Sequence, residues 1–431
     1  MTWPWLFLLV TIAGALFTFN AYLPRPANSL LAAPSFIAGW LTSELVAHHF
    51  AWQIAATLFF VWMGALDAWP GWLGLGITFA SWAALLAMVP VARRSEHEIE
   101  DALLQGLGAD YREAARPGAA KLRDAFEPNE RLVNPFRFHH PDVRVVRDIR
   151  YAEGAGKRHL LDVYTPRDGA SGAPVLLQIH GGGWTIGHKR QQALPLLYHL
   201  AARGWVCVAA NYRLSPRATF PDHLIDLKLA LCWIREHIGE YGGDPHFVAA
   251  TGGSAGGHLS SLLTLTANDP EYQPGFEGVD TSIQACVPFY GIYDFANRFG
   301  HDHFDGIEQF LARVVFKQRF AEHPEAFRKA SPTERVRPDA PPFFVIHGTH
   351  DSLAPVDEAR NFVRALREVS RAPVAYAEIH GAQHAFEVFH SLRTRHIVGG
   401  VARFLGFVYS HHLRSRIDAE HPTAEKVAGK L

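Results

Sequence analysis

The chain has little cysteine, little net charge, and almost no charge of either sign at its start. Its three cysteines, Cys207, Cys232 and Cys286, stand far apart. That spacing excludes a disulfide framework and a thiolate zinc site, and their apolar flanks read as buried, inert thiols. The 41 Lys and Arg nearly cancel the 42 Asp and Glu over 431 residues. Such a balance excludes a broad electrostatic grip on nucleic acid. With 48% hydrophobic and 19% charged residues, wholesale disorder is excluded too. Before Arg93 the only charged residues are Arg25, Glu44 and Asp67. A membrane-like first region is therefore joined to an ordinary soluble remainder.

Three uncharged stretches stand in residues 1–92: Trp3–Phe19, Phe50–Leu66 and Gly71–Ala92. A span needs ~20 apolar residues, so the third is comfortable and the others are tight. Tryptophans at 3, 5, 52, 62, 69 and 72 suit interfacial anchors. Leu30–Ala47 holds Pro34, Ser35, Ser43 and Glu44 and reads as an interfacial or re-entrant helix, with a fourth span as the rival. A cleaved signal peptide fits poorly: residues 2–20 carry no Lys or Arg, and apolar segments continue far beyond. With three spans, Arg25 and Arg93/Arg94 fall on one side, which places the soluble part in the cytoplasm. The expectation is a multi-pass membrane protein.

Residues 93–142 read as a charged linker or flap. Ser95–Leu107 forms a short amphipathic helix, with Ser95 as N-cap and Glu98 three residues on. Pro117, Gly118, Pro128, Pro135 and Pro141 punctuate the chain beyond that helix. From residue 143 to 410 the pattern alternates. Strands are expected at Val143–Tyr151, His159–Tyr164, Val175–His180, Val206–Asn211, Phe247–Gly252, Ala285–Phe289, Phe343–His347 and Val374–Ile379. Helices are expected at Gln191–Ala202, Leu224–His237, Gly256–Ala267, Val356–Val369 and Val398–Tyr409. Apolar strands alternating with helices define an α/β class with a mostly parallel sheet covered on both faces. Residues 411–431 read as a polar, frayed tail.

Within Thr251–Gly257 lies Gly-x-Ser-x-Gly, between a strand and a helix. That context is the one a nucleophile elbow requires, and Ser254 projects from its tip. A purely structural Gly-Ser turn is the alternative. His180-Gly181-Gly182-Gly183-Trp184 follows the strand ending at Ile179. Acyl transfer builds negative charge on a carbonyl oxygen, and each backbone N–H aimed at it contributes ~3 kcal/mol. A phosphate-binding loop is the rival, but no Gly-Lys-Ser/Thr follows. The N–H groups of Gly182, Gly183 and Ala255 are the expected oxyanion donors, with His180 and Trp184 facing substrate.

A nucleophilic serine needs a base, and the base an orienting carboxylate. Asp351, in His347–Asp351, and His384, in Gly381–Phe386, each follow a strand and stand in the order Ser…Asp…His. Asp294 is the rival acid. Among the 25 histidines, His258, His347 and His350 stand near the site in other roles. The pairs His139/His140, His301/His303 and His411/His412 read as solvated loop residues; none has a His-Glu-x-x-His arrangement, and neither metal nor cofactor is expected. Residues 294–331 leave room for a cap or lid, with Phe295, Phe299, Phe304 and Phe310 as apolar candidates or as ordinary packing.

With Asn211–Pro216 and Phe220–Asp222 added, these strings resemble the α/β-hydrolase superfamily, in its hormone-sensitive-lipase-like and carboxylesterase branch. Gly253 stands where hormone-sensitive-lipase-like enzymes usually have Asp before the nucleophile. That shifts the likeness toward feruloyl-esterase-like, formamidase-like and sterol-acetate-esterase-like relatives. The resemblance implies an eight-stranded sheet and ester hydrolysis through an acyl-enzyme, on a small-molecule or lipid ester such as an acylglycerol, a sterol ester or a lipid acetate. Amide hydrolysis by the same triad and a non-catalytic ligand receptor on the same fold are the other readings.

Overall fold

The computed structural model describes residues 2–26, 29–115, 130–300 and 304–420. Pro117, Gly118, Pro128, His301, His303 and residues 421–431 lie outside them.

The uncharged stretches form helices α1 (Trp3–Tyr22), α3 (Val46–Trp62) and α4 (Trp69–Leu107), with α2 (Ala32–Glu44) between the first two. Two helices, α1 and α4, are each long and apolar enough to cross a membrane. α2 and α3 pass that test only as one pair, bent by 92°. Small residues let α1 and α4 approach closely. A side chain on Gly74 would press on Phe7 and Thr11. The Thr18 and Ser81 hydroxyls lie 2.8 Å apart, and the Tyr22 hydroxyl donates to the Ala84 carbonyl at 2.6 Å. Trp5 packs on Trp69 and Trp3 on Phe59, so the start of α1, the end of α3 and the start of α4 share one end. Arg25 and Arg93 lie toward the other.

α4 corrects the expected boundary after Ala92. It runs unbroken for 39 residues, through Pro90 and the Arg93–Arg94 pair. Ser95 caps nothing: it is buried, and its hydroxyl donates to the Ala92 carbonyl at 2.7 Å. The charges that look like a linker are one exposed face of a helix whose other face, Ile99, Ala102 and Leu103, is buried in the soluble core.

Among the described residues one sheet holds eight strands, in the order β1-β2-β4-β3-β5-β6-β7-β8. They are β1 (Val143–Arg150), β2 (Leu160–Pro166), β3 (Ala173–Ile179), β4 (Val206–Ala210), β5 (Gly243–Gly253), β6 (Ala285–Phe289), β7 (Phe343–Gly348) and β8 (Val374–Ile379). β2 is antiparallel to β1 and β4, and the remaining pairs are parallel. Strand side chains alternate between faces, so β3 feeds two cores. Val175, Leu177 and Ile179 join the core under helices Asp222–His237 and Ala255–Leu265. Leu176 joins the other, under the end of α4 and the long helix Leu392–Glu420.

That last helix corrects the expected frayed tail at His411. Residues 411–420 continue it, and His412 and Arg416 still have partners. The His412 ring packs on Phe247, and Arg416 pairs with Asp244 at 3.0 Å. His140 is likewise not solvated: it is buried and accepts the Asp142 backbone N–H at 3.2 Å.

Candidate active site

β5 leads into Ser254, and helix Ala255–Leu265 leaves it. Ser254 has φ 59° and ψ −123°, a strained conformation for a residue with a side chain. The turn is held from both sides: the Ser254 N–H donates to the Phe289 carbonyl and the His258 N–H to the Ser254 carbonyl, each at 3.0 Å. Glycine is required at 256, where a Cβ would collide with the Ile179 carbonyl as helix and strand cross.

The loop after β3 sits beside the serine. A Cβ added to Gly181 would stand 3.1 Å from that of Ser254. Gly182 has φ 113°, which glycine alone adopts easily. Its carbonyl turns inward to accept the N–H groups of Thr185 and Ile186, at 3.1 and 3.0 Å. His180 and Trp184, expected to face substrate, are instead buried at 0% and 2% exposure. They carry the loop from beneath. His180 stacks on Tyr212, whose hydroxyl donates to the His180 carbonyl at 2.9 Å. The Trp184 indole N–H donates to His258 Nδ1 at 3.3 Å, and the other nitrogen of His258 lies 2.8 Å from the Ala330 carbonyl. Burial lowers the His180 pKa to about 4 and the His258 pKa to about 3, so both are neutral scaffold. The Asn211–Pro216 string serves the same loop: the Ser215 N–H reaches the Trp184 carbonyl at 2.8 Å.

The loops after β7 and β8 meet. His384 Nδ1 lies 2.6 Å from Asp351 Oδ2. Asp351 Oδ1 accepts the N–H groups of Leu353 and Ala354, both at 2.8 Å. His347 Nε2 faces Asp351 Oδ2 at 3.2 Å and the Ala354 carbonyl at 2.8 Å; two acceptors there place its proton on Nε2. Burial pushes the Asp351 carboxyl up, but the charge of His384 and the hydrogen bonds of His347 and His384 outweigh it and hold it below the ordinary carboxylate range. Asp294 is engaged elsewhere, accepting the N–H groups of Ala296 and Phe299. Gln383 locks the two loops together: its side-chain oxygen accepts Ser352 N–H at 2.7 Å and His384 N–H at 2.9 Å.

Tyr290 joins the histidine to the elbow. Its ring lies 4.4 Å from that of His384, and a Cβ on Gly253 would come 2.5 Å from its hydroxyl. That hydroxyl donates to Glu387 Oε2 at 2.5 Å. Sequence reasoning missed Tyr290, Glu387 and Gln383, although the last two flank His384. Of the lid candidates, Phe295 is buried against Trp184, and Phe310 reaches the glycine loop after β3, 3.8 Å from where a Gly183 Cβ would stand. His350 turns away from the site; its Nδ1 lies 3.1 Å from the Ala21 carbonyl in α1.

A serine on a strained strand-to-helix turn, a glycine loop beside it and a carboxylate–histidine pair, all at the carboxyl ends of the strands, define the α/β-hydrolase class. The BD-FAE family matches residues 161–366. Over 418 residues the chain is 42% identical to "Probable carboxylic ester hydrolase LipM" of Mycobacterium tuberculosis, covering 94% of this chain and 93% of that one. "Esterase LipQ" of the same organism is 38% identical over 89% of this chain and 87% of its own length. A solved thermophilic esterase from Thermogutta terrifontis superposes with a TM-score of 0.51 at 26% identity, over 62% of this chain and 94% of that one. The chain belongs to this family of α/β-hydrolase carboxylic ester hydrolases, and it is an esterase.

Proposed function

We propose that Ser254 is the nucleophile, His384 the general base and Asp351 its orienting acid, in a membrane-anchored serine esterase that acts on hydrophobic esters. The observation that carries this reading is the 2.6 Å His384–Asp351 contact, with the His384 ring on Tyr290, whose hydroxyl lies against Gly253 next to the strained Ser254. The carboxylate fixes the proton on Nδ1, which leaves Nε2 to take the serine proton. Ser254 Oγ then attacks the ester carbonyl, and the N–H groups of Gly182, Gly183 and Ala255 hold the oxyanion. His384 returns the proton to the departing alcohol. Water, deprotonated by His384, then attacks the acyl-enzyme, and the serine leaves with that proton.

The apolar helices α1 and α4 support membrane anchoring, and Arg25, Arg93 and Arg94 favour a cytoplasmic catalytic domain. Acylglycerols, sterol esters and lipid acetates are the substrates that fit such a position. Hydrolysis of a p-nitrophenyl ester series from acetate to palmitate, wild type beside Ser254→Ala, tests the mechanism. Loss of a nucleophile of this type costs about 10⁴-fold or more in kcat. Turnover that survives in Ser254→Ala overturns the serine mechanism. An inactive wild type moves the assignment to amides or to ligand binding.

A further inference from the structure

The catalytic histidine is not covered by the soluble domain alone. Phe36, from α2, sets the edge of its ring against His384 at 5.8 Å and an interplanar angle of 86°. Phe36 is only half-buried. α2 is fixed there by independent contacts. Phe36 stacks on Trp40, and Trp40 packs on Phe389 at 5.1 Å. Gly39 lies close enough to Gln383 that a Cβ would come 3.4 Å from its amide nitrogen. Glu44, at the end of α2, forms a buried pair with Arg393 at 2.6 Å and accepts the Ser391 hydroxyl at 2.8 Å. The same Arg393 reaches the His380 carbonyl, in the loop that carries His384.

Large apolar side chains stand exposed on the segments that carry the site: Ile186 is 69% exposed, Ile37 52%, and Phe310 and Leu353 36% each. Ile186 packs over Gly182 and Phe310 over Gly183. Leu353 is two residues from Asp351, which accepts its N–H, and Ile37 is next to Phe36 on α2. Exposed large apolar side chains of this kind mark a surface that meets something apolar. Helical periodicity puts Pro34 and Ala38 on the side of α2 opposite Phe36, with Ser35 on its flank. With Leu16, Phe17 and Leu23 of the α1 segment they line a mostly apolar groove of about 510 Å³, bordered also by Asn20 and Arg25. α2 thus separates hydrocarbon-compatible surface from the catalytic histidine.

We propose that α2 is part of the active site: Phe36 walls the substrate pocket on the histidine side, and the substrate is a membrane-resident lipid ester whose hydrocarbon chain lies along α2 while its carbonyl reaches Ser254. This rests on the serine-esterase reading above. The chain-bearing part of the ester stays in an apolar medium, and only the carbonyl passes Ile186, Phe310 and Leu353 to the polar groups. Phe36 is a specificity residue here and takes no part in proton transfer.

The test uses the full chain in nanodiscs, with rates divided by the fraction of protein whose Ser254 is labelled by a fluorophosphonate. The readout is the ratio of kcat/KM on decanoate to that on acetate p-nitrophenyl esters. Phe36→Ala is expected to lower this ratio about tenfold or more, the usual size of a lost apolar pocket contact, and Phe36→Leu to restore most of it. Phe36→Trp, which retains an aromatic ring for packing, is expected to move the optimum to shorter chains. A residue that merely supports His384 would scale all esters alike. An unchanged ratio in Phe36→Ala and an unmoved optimum in Phe36→Trp overturn the proposal. Ser254-dependent turnover with an unmoved ratio sinks only this inference, whereas turnover independent of Ser254 in wild type sinks the serine reading itself.

Discussion

Tyr290 and Glu387 form a buried pair behind the reacting groups, and the pair has a pH signature. Burial pushes the Glu387 carboxyl from its ordinary 4.5 up to about 7, against the hydrogen bond from Tyr290. A carboxyl raised in the folded protein favours folding while it is neutral. Its contribution is therefore full below pH 4.5 and lost as the pH rises through about 7. Glu387→Gln keeps an acceptor for the Tyr290 hydroxyl and removes the titration. The fall in melting temperature from pH 5 to pH 8 should be shallower in Glu387→Gln than in wild type; equal slopes would show that Glu387 does not titrate there. The acid assignment has its own test. Asp351→Asn leaves the geometry but disturbs the His384 tautomer, an effect of about 10⁴ in kcat in triads of this kind. Asp294→Asn, which disturbs only a loop turn, should stay within about tenfold of wild type on the ester assay. The reverse order would transfer the role to Asp294. The strand-end positions of Ser254, Asp351 and His384 were legible because each sits in a short string there, where local pattern and chain order suffice. Tyr290 and Glu387 were not, because a buried tyrosine beside a buried glutamate, 97 residues apart, leaves no local signal.

At the scale of elements, the strand bounds were legible within a residue or two, except that β5 starts at Gly243, four residues before the expected Phe247; short apolar runs and their flanking turns are local signals. Two helices run on where a boundary was expected. The charged residues from Arg93 read as a linker with its own short helix at Ser95–Leu107, and those from His411 as a frayed tail. Burial of one face keeps each helix continuous: Ile99 of α4 packs beneath Gly400 of the last helix, and His412 packs beside Phe247 of β5. The position of α2 is also a tertiary fact. Glu44, the lone carboxylate in its apolar surroundings, makes sense only once Arg393, 349 positions on, is beside it. Both side chains are at most 2% exposed. Removing one partner of such a pair leaves a buried charge and costs about 3–5 kcal/mol, whereas replacing both by apolar residues is often neutral. Arg393→Met and Glu44→Met should each lower the melting temperature in detergent by several degrees, and the double variant should recover most of the loss. Additive losses in the double variant would mean that the two charges do not hold α2 to the histidine loop.

For the whole molecule, one continuous helix couples the apolar region to the hydrolase fold. α4 begins among the tryptophans at the far end and finishes buried against β8, where a Cβ on Gly106 would stand 2.5 Å from Ala375. Read as a span, α4 puts the catalytic domain on the side of the bilayer that receives Arg93 and Arg94. α1 supplies the second constraint, since Arg25 lies at that same end. Cationic residues flanking short spans remain on the cytoplasmic side. The expected outcome is a protein that stays with membranes through alkaline carbonate and leaves them only with detergent. A reporter fused after Leu431 should then be active in the cytoplasm and silent when tested for export. Release by carbonate would mean that the apolar helices lie on the membrane surface. An exported reporter would place Ser254 on the opposite leaflet and restrict its substrates to esters found there.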